Sequence, residues 1–433
     1  MTERERGIQL ELTGFEMEGE TFDFLPYSDL RRWTEESDIY ERSFQNLPLE
    51  RLAGVKALSF LSYIGPNPKD QIFLPYTHTR FDHSFVVGLV IQAIMKQNGF
   101  DQEDINVGIV AGLIHDIATP AHGDATKRVD PKALDEEQFW WEALGENGQA
   151  FVTQELSIPQ KRLDAIIKNQ GIMGQILDIA DRITYTMKDF NAIIAQDQNN
   201  AWSWVFQNPY LQELRDFIMI NPKIGNIYKE VGVDRKKNEV FFNDPRNLGI
   251  LLLLRAHLHK TLYLNPISQG RDLFIASLIK RLYSRDGGRP LSPKRLRGMT
   301  DENLIEVLQK YYKPEYGDFS QKLHHDLISW YPYFERFKTK EEATRRKKEL
   351  KKEKNIAVIG MTQCKGFDPG TSYKVTDEKG QTVPFREFDP VIASEIERIM
   401  DETKGFFVFF VDISERNSIN SLLRKKPSEK KVI

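Results

Sequence analysis

The sequence predicts a mainly α-helical protein with a small α+β region near its C-terminal end. Between about residues 47 and 285, apolar side chains recur at helical spacing, and FVVGLVIQAIMKQ and INVGIVAGLIHDI are apolar almost all round. Beyond residue 335 the pattern changes, because IAVIGM, TSYKVTD, TVPFREF and GFFVFFVDI have the apolar, β-branched and aromatic content of strands. A helix, PVIASEIERIMDE, is expected between the last two of these strands.

The chain divides into four predicted parts, which are an N-terminal segment with a β-hairpin (1–46), a helical core (47–285), a C-terminal lobe that is first helical and then α+β (286–423), and a disordered tail (424–433). The hairpin is expected because IQLEL and ETFDFLPY alternate apolar and polar residues on either side of Gly19. SRDGGRPLSP predicts the turn that ends the core, and TDENLIEVLQKYY predicts the next helix, with Thr300 as its N-cap. The charged segment KTKEEATRRKKELKKEKN predicts a solvent-exposed helix face.

The composition argues against several classes of protein. The 433 residues include 60 basic and 63 acidic side chains, and a net charge of −3 does not suit a generally cationic nucleic-acid-binding protein. The single cysteine, Cys364, excludes an internal disulfide and a multi-cysteine zinc site. MTERERGIQLELTG has no apolar signal core, and no stretch approaches the ~18 consecutive apolar residues of a membrane span. We therefore expect a cytoplasmic protein that binds neither membranes nor nucleic acid.

Four ionisable side chains lie in strongly apolar sequence, and in chain order they are His83, His115, Asp116 and Asp181. Burying such groups is costly unless they are paired or bind a metal ion, so one shared cation accounts for all four. Imidazole nitrogen and carboxylate oxygen together suit a divalent ion such as Mn, Fe, Mg, Ni or Zn. The alternative for His115 and Asp116 is a local hydrogen bond at a helix end. The second such pair, His325–Asp326, has no ordered series of partners and is interpreted as a surface or packing feature.

This ordered set resembles the HD-domain phosphohydrolases, which bind a catalytic metal through such a quartet. The resemblance is closest to their deoxynucleoside triphosphate triphosphohydrolase branch, because TRFDHSFVVGLV precedes AGLIHDIATPAHGD in the same order. DRITYTMKD resembles that branch's metal-and-sugar helix, and LLRAHLHKTLY resembles its RAYxHK segment. The resemblance covers about residues 40–315. It implies an HD-domain helical core, hydrolysis of deoxynucleoside triphosphates to deoxynucleoside and inorganic triphosphate, and a homo-oligomer.

The resemblance also implies roles for the residues that match the family's motifs. It implies that the metal ligands are His83, His115, Asp116 and Asp181. It implies that the substrate contacts are Arg80 and Arg182 to phosphate, Tyr185 and Asp189 to deoxyribose, His257 at the position of a tyrosine near the base, and Leu58 in an early sugar-binding segment. The alternatives are a core tyrosine at Tyr185, a solvated acid at Asp189 and a surface ion pair at Arg80.

The sequence departs from the family pattern at its histidine positions. Thr119 and Asp124 occupy the places of two histidines that follow the metal-binding pair, and Glu136 takes the place of a third. A neutral threonine cannot replace imidazole in proton transfer. The candidates for the general acid or base are therefore His122, Asp124 and Glu136. For His122, the alternative is a polar residue that caps the following helix.

Three functions remain open at this point. The first is the hydrolysis of deoxynucleoside triphosphates, and the second is a nucleotidase or phosphodiesterase of the same family that acts on other nucleotides. The third is a metal-stabilised nucleotide sensor with little catalysis, which the missing imidazoles favour. His259 and Lys260 are expected either to contact the substrate phosphates, to bind a regulatory nucleotide, or simply to belong to a packing helix.

Overall fold

The structure, a computed structural model of the 433-residue chain, describes residues 15–17, 20–22, 34, 37–57, 63–64, 72–73, 78–195, 224–316 and 332–412. Across these ranges the protein is mainly α-helical and contains small sheets, as the sequence predicts. Four predictions lie outside them, namely the strand in IQLEL, the role of Leu58, the His325–Asp326 pair and the tail 424–433. No helix within these ranges combines the length and the apolar surface that a membrane crossing requires.

The helices of the central region form where the sequence is apolar at helical spacing. They are α1 (Ile39–Asn46), α2 (Glu50–Ala53), α3 (Arg80–Gln97), α4 (Gln102–Ile114), α5 (Gly123–Lys127), α6 (Glu136–Ala150), α7 (Gln160–Ile167), α8 (Gly171–Ala195), α9 (Pro245–Leu258) and α10 (Pro266–Leu282). A π-helical turn, His259–Tyr263, continues α9 directly. Most of their apolar side chains belong to one buried cluster, which holds these helices together through the hydrophobic effect.

Helices α3 and α4 approach each other closely, and this approach positions the site. Helix α3 begins with a capping box, in which Thr79 Oγ1 accepts from Asp82 N at 3.1 Å and the Asp82 carboxylate accepts from Thr79 N at 2.9 Å. A Cβ atom on Gly112 of α4 would lie only 2.9 Å from the Gly88 backbone of α3, so only glycine permits this contact. Consequently the ring of His83, in the first turn of α3, lies 5.3 Å from the ring of His115, just after α4.

The strands form four small antiparallel or mixed sheets. They are β1 (Phe15–Met17), β2 (Glu20–Phe22), β3 (Tyr63–Ile64), β4 (Ile72–Phe73), β5 (Val231–Asp234), β6 (Glu239–Phe242), β7 (Tyr333–Phe337), β8 (Ile356–Cys364), β9 (Lys374–Thr376), β10 (Thr382–Pro384) and β11 (Gly405–Asp412). Strands β1 and β2 pair antiparallel, and β2 lies in the predicted segment ETFDFLPY, whereas β1 lies beyond the predicted strand IQLEL. The two larger sheets have the strand orders β7-β11-β8 and β10-β9-β6-β5.

The C-terminal region contains the helices and most of the strands that the sequence predicts. Its helices are α11 (Pro293–Gly298), α12 (Asp301–Tyr316), α13 (Lys340–Leu350), α14 (Phe385–Phe388) and α15 (Pro390–Thr403). Thr300 is the N-cap of α12, because its Oγ1 accepts from Asn303 N at 3.2 Å. Strand β7 and the β5–β6 hairpin were not predicted, and the hairpin lies inside the segment that the sequence assigns to helices.

One sheet and one helix join the C-terminal region to the core. Strand β9 pairs parallel with β6, with Phe241 opposite Lys374 and Phe242 opposite Val375. Ile396 of α15 is fully buried within the main core cluster. The end of β8 is thereby held against the helices, where it forms part of the cavity described below.

Candidate metal centre and its cavity

Three side chains from three helical segments converge on one point. One ligand atom from each of His83, His115 and Asp181 lies within 4.8 Å of the others, and these three form a group suited to a metal ion among the described residues. Asp181 Oδ1, from the middle of α8, lies 2.8 Å from His83 Nε2 and 3.7 Å from His115 Nε2. The predicted convergence of these three side chains is therefore present in the fold.

The ring nitrogens of both histidines fit a metal ion. His115 Nδ1 lies 2.7 Å from the Gly112 carbonyl oxygen, and a carbonyl can only accept, so this nitrogen carries the proton. His115 Nε2, which faces Asp181, is therefore the ring nitrogen that would bind a metal ion. His83 is buried, and its Nε2 lies 2.8 Å from Asp181 Oδ1. Two imidazole nitrogens that face the same carboxylate match the donor set of a divalent metal site.

Asp116, the fourth predicted ligand, lies next to this group but is engaged by other partners. Its Oδ2 lies 3.9 Å from His83 Nε2 and 3.8 Å from His115 Nε2, and it accepts from Arg80 at 2.7 Å. Its Oδ1 accepts from Thr119 at 3.2 Å. Burial raises the pKa of Asp116, but Arg80 and the two histidines outweigh burial and hold that pKa well below its usual range.

The carboxylates make the centre attractive to a cation. Burial lowers the pKa of His115, but Asp116 and Asp181 outweigh it and raise the pKa to about 9. Burial also lowers the pKa of His83, and there the same carboxylates do not compensate fully. The field that favours a proton on His115 also favours a metal ion at the same place.

The metal centre opens into a cavity of about 790 Å³. This volume lies within the roughly 300–1,000 Å³ typical of sites for small molecules and cofactors. Its basic lining residues are Arg80, Lys127, Arg128, Arg255 and Lys365. Its aromatic lining residues are Tyr185, Tyr263 and Phe367. Nine acidic side chains of the described residues line the cavity as well. The basic residues therefore offer local positive charge within a lining that carries more acids than bases, and the aromatic residues offer flat surfaces that suit rings.

Two of the three predicted proton-transfer residues line the cavity. Lys127 Nζ lies 2.5 Å from Glu136 Oε1 and 3.5 Å from Asp124 Oδ1, so the lysine joins the two carboxylates. The positive charge of Lys127 lowers the pKa of Asp124. Burial lowers the pKa of Lys127, but Glu136 and Asp124 outweigh it and raise that pKa above its usual range. At neutral pH Lys127 is therefore an ammonium ion and Asp124 is ionised beside it.

The third proton-transfer candidate, His122, is placed elsewhere. It does not line the cavity, and its Nδ1 lies 3.8 Å from Asp301 Oδ2 of α12. Its backbone N donates to Asp301 Oδ1 at 2.6 Å, and its φ of 54° turns the chain into α5. His122 does occupy the N-cap position of α5, as the alternative prediction has it, but its side chain makes no capping hydrogen bond. His122 is a packing contact between the core and α12.

Tyr185 and Asp189 face the cavity, whereas Arg182 does not. The Tyr185 hydroxyl accepts from Arg255, and the Tyr263 hydroxyl donates to Asp189. Burial raises the pKa of Asp189 to about 7. Arg182 lies next to Asp181 in sequence, but its guanidinium forms ion pairs with Asp178 at 3.0 Å and Asp368 at 2.7 Å. On this side of the cavity the lining arginine is therefore Arg255, and not the predicted Arg182.

The two histidines in RAHLHK are placed differently from the prediction. His259 lines the cavity, and its ring stacks on Phe367 at a centroid distance of 4.4 Å, whereas the predicted contact, His257, does not line it. Lys260 Nζ lies 3.3 Å from Glu402 of α15, outside the cavity lining. Leu58 is outside the described residues, although its neighbour Ala57 lines the cavity.

Sequence reasoning missed one whole wall of the cavity. Residues 363–368, at the end of β8 and just beyond it, line the cavity together with Arg128, Asp272 and Gln269. Lys127 was missed as well, although a lysine three positions after Asp124 on the same helix was a usable signal. The C-terminal wall has no such signal, because it reaches the site only through strand pairing and packing.

Comparison with known proteins identifies the central part of this fold. Residues 80–186 match the family model of the HD domain, so the chain contains an HD domain. This match begins at Arg80 and includes all four predicted metal ligands. No curated protein shows a significant sequence match to the chain.

Two solved structures resemble most of the chain. A hypothetical protein from Aquifex aeolicus is 16% identical with a TM-score of 0.59, and the match covers 89% of this chain and 95% of that one. A phosphohydrolase from Bacteroides thetaiotaomicron is 13% identical with a TM-score of 0.54, and the match covers 84% of this chain and 92% of that one. At these identities the likeness concerns the fold.

Proposed function

We propose that this protein is a metal-dependent phosphohydrolase that cleaves deoxynucleoside triphosphates into deoxynucleoside and inorganic triphosphate. The observation that carries the proposal is the convergence of His83, His115 and Asp181 at the edge of a cavity with five basic lining residues. The HD domain and the phosphohydrolase with the same fold support the hydrolytic part. The order of the motifs around this centre supports the choice of substrate.

The metal would be held by His83, His115 and Asp181, with Asp116 beside them as the fourth ligand. When bound there, a divalent ion lowers the pKa of a water molecule and polarises a phosphoryl oxygen. Arg80 fixes the Asp116 carboxylate through a 2.7 Å hydrogen bond and presents positive charge at the same edge of the cavity. Arg80 thereby orients a ligand and compensates phosphate charge.

The other lining residues bind and orient the substrate. Lys127 and Arg255 offset the charge of the phosphates, and the rings of Tyr185 and Tyr263 pack on the sugar. Asp124, which Lys127 keeps ionised, accepts the proton of the attacking water. The water oxygen forms a bond to the α-phosphorus, and the bond from that phosphorus to the 5′-oxygen breaks. The 5′-oxygen takes up a proton from solvent, and Asp124 returns the proton that it accepted to solvent.

Product analysis tests this proposal. Purified protein is incubated with each deoxynucleoside or ribonucleoside triphosphate in Mn²⁺ or Mg²⁺, and the products are separated by anion-exchange chromatography. Inorganic triphosphate and free deoxynucleoside are the expected products. Orthophosphate, or tight binding without any product, would overturn the proposal and select the nucleotidase or the sensor respectively. Sedimentation of the same sample tests the homo-oligomer that the family resemblance implies.

A nucleotidase is the second candidate, and one specific observation favours it. Asp124, Lys127 and Glu136 form an acid–lysine–acid group in the part of the sequence where the triphosphohydrolases have histidines. In this group a proton can come only from a carboxyl group or an ammonium ion. The leaving group would therefore not be protonated by an imidazole. Deoxynucleoside monophosphates are therefore included as substrates in the same assay.

A further inference from the structure

Asp272 is a buried acid in the wall of the cavity that the proposed chemistry does not use. It lies on α10, is only 2% exposed, and lines the cavity. Its Oδ2 accepts no hydrogen bond from any described residue. Its ion-pair partner is Arg128, whose NH2 group lies 3.8 Å from Oδ2, which is too far for a hydrogen bond. Asp272 therefore lines the cavity with an Oδ2 atom whose accepting capacity is left over.

Arg128 is held away from Asp272 by other acceptors. Its NH1 group donates to Thr362 Oγ1 at 3.1 Å, and its NH2 group donates to the Gln269 side-chain oxygen. The Gln269 amide nitrogen in turn donates to the Tyr263 carbonyl at 2.6 Å. Arg128 Nε is buried and makes no hydrogen bond with a described residue, and none of these groups donates to Asp272 Oδ2. Burial, which Arg128 opposes only in part, raises the pKa of Asp272 to about 7.

We propose that Asp272 is a specificity-determining residue that accepts a hydrogen bond from an O–H or N–H group on the nucleoside part of the substrate. This inference rests on the proposed function for the class of ligand. In its ionised form Asp272 cannot be satisfied by the phosphate end of the ligand, because ionised phosphate oxygens offer no donor and are repelled by a carboxylate. The donor must come from a sugar hydroxyl or from an amino or ring N–H of the base.

The contacts around Asp272 continue from the proposed sugar site. Asp189 accepts from the Tyr263 hydroxyl, and the Tyr263 carbonyl accepts from Gln269, which lies one helical turn before Asp272. Gln363 and Cys364, at the end of β8, line the same cavity. The C-terminal region thus helps to enclose the part of the cavity where the nucleoside would bind.

A buried acceptor is an effective means of discrimination. A site built to pair with a ligand's O–H or N–H rejects an analogue without it, because the buried group is then left unpaired. We therefore expect selectivity among ligands to depend on Asp272. The metal content of the protein should not change when Asp272 is replaced. Loss of selectivity with retained metal is the signature of this role.

The test compares Asp272→Asn with Asp286→Asn, which makes the same chemical change at an exposed position outside the cavity. Binding of the four deoxynucleosides and the four ribonucleosides is measured by calorimetry, and kcat/KM is measured for the corresponding triphosphates. In Asp272→Asn the preferred ligand should lose about 10- to 100-fold, and ligands without the matching donor should change less than about threefold. Asp286→Asn should behave like the wild type.

The pattern of the change identifies the source of the donor. A changed ranking among bases identifies a base N–H, and a changed ratio of deoxyribose to ribose ligands identifies a sugar hydroxyl. Either result supports the inference. An equal change for all ligands, or no change, overturns it.

Thermal unfolding tests whether Asp272 has a structural role instead. Removing a buried charge that lacks hydrogen bonds should leave the Tm of Asp272→Asn unchanged or higher. A clearly lower Tm would show that the carboxylate serves to hold Arg128, and would overturn the specificity role. Because nucleoside binding requires no turnover, Asp272-dependent selectivity in a protein without hydrolase activity would contradict only the proposed function. Triphosphate release with unaltered selectivity would contradict only this inference.

Discussion

His115 and His122 lie in the same short segment, are both largely buried, and both have carboxylate neighbours, yet they have opposite properties. Burial lowers the pKa of each ring. At His115 two carboxylates, Asp116 and Asp181, overcome burial and raise the pKa to about 9. At His122 one carboxylate, Asp301, does not overcome burial, and the pKa stays below its ordinary value. The number of converging acids, together with access to the cavity, separates a candidate ligand from a packing residue.

The two regions also differ in what their carboxylates do. Asp181 faces two imidazoles and makes the centre attractive to a cation. Asp301 instead accepts from two backbone N–H groups, those of His122 at 2.6 Å and Lys56 at 3.0 Å. Asp301 N also donates to the Gly54 carbonyl at 2.9 Å, so this acid ties α12 to the core. One histidine region forms the candidate metal centre, and the other joins two parts of the fold.

The largest expected effect comes from removing His115. In His115→Ala the metal loses one of three converging ligands, so both bound metal and turnover should disappear. The loss should exceed the roughly 10- to 100-fold seen when only an outer partner of a metal ligand is removed. Metal content is measured by mass spectrometry after metal loading, and triphosphate release is measured on the same sample.

His122→Ala is the matched control for this prediction. It removes the same ring from the neighbouring region, and we expect metal content to be unchanged and turnover to stay within about threefold, because small packing changes cost little activity. If His122→Ala loses turnover as completely as His115→Ala does, the distinction between the two regions is wrong.

The next effect in size concerns the charge of Lys127. In Lys127→Ala, Glu136 and Asp124 lose the ammonium ion that lies between them, and the cavity becomes more acidic. We expect kcat/KM for a deoxynucleoside triphosphate to fall by about 10- to 1,000-fold, as when one charge-stabilising group is removed. Metal content should not change. Lys237→Ala, at an exposed position outside the cavity, is the control, and parallel loss of metal in Lys127→Ala would contradict this account.

Much of the fold and the metal centre follows from local sequence pattern. Helices α3 and α4 are almost continuously apolar, and α8 carries apolar residues at helical spacing. Ionisable residues among them stand out because burying them requires a partner. His83, His115 and Asp181 can therefore be selected from the amino-acid sequence alone. Strands β8 to β11 and helix α15 were predicted for the same reason, since each has a clear apolar period bounded by turn residues.

The remaining site residues depend on contacts that sequence does not encode locally. His259 lines the cavity and His257 does not. The helix changes from α to π spacing at His259, and the direction of the side chains shifts there. The direction of Arg182 is set by Asp368, which belongs to the distant C-terminal region. No periodicity within either helix could have indicated these outcomes.

A stability effect should follow from disrupting the second histidine region. Asp301→Ala leaves the N–H groups of His122 and Lys56 without their carboxylate acceptor, and each buried donor left unpaired costs about 1–3 kcal/mol. The free energy of unfolding, measured by urea denaturation, should fall by at least that amount for one donor. Metal content of the folded protein should be retained. An unchanged urea midpoint would show that Asp301 does not hold α12 to the core.

The smallest expected effect comes from removing the N-cap of α12, which lies beside the His122–Asp301 contact. Thr300 Oγ1 accepts from Asn303 N at 3.2 Å, and its methyl group packs so close to Gly54 that a Cβ on that glycine would lie 2.5 Å away. Thr300→Ala removes the cap and should lower the free energy of unfolding by about 1 kcal/mol, whereas Thr300→Ser keeps the hydroxyl and should lose less. Urea denaturation of both variants, alone and combined with Asp301→Ala, measures the two effects. Additive losses would show that cap and contact act independently, whereas a combined loss no larger than that of Asp301→Ala alone would show that the cap matters only while α12 is tied to the core.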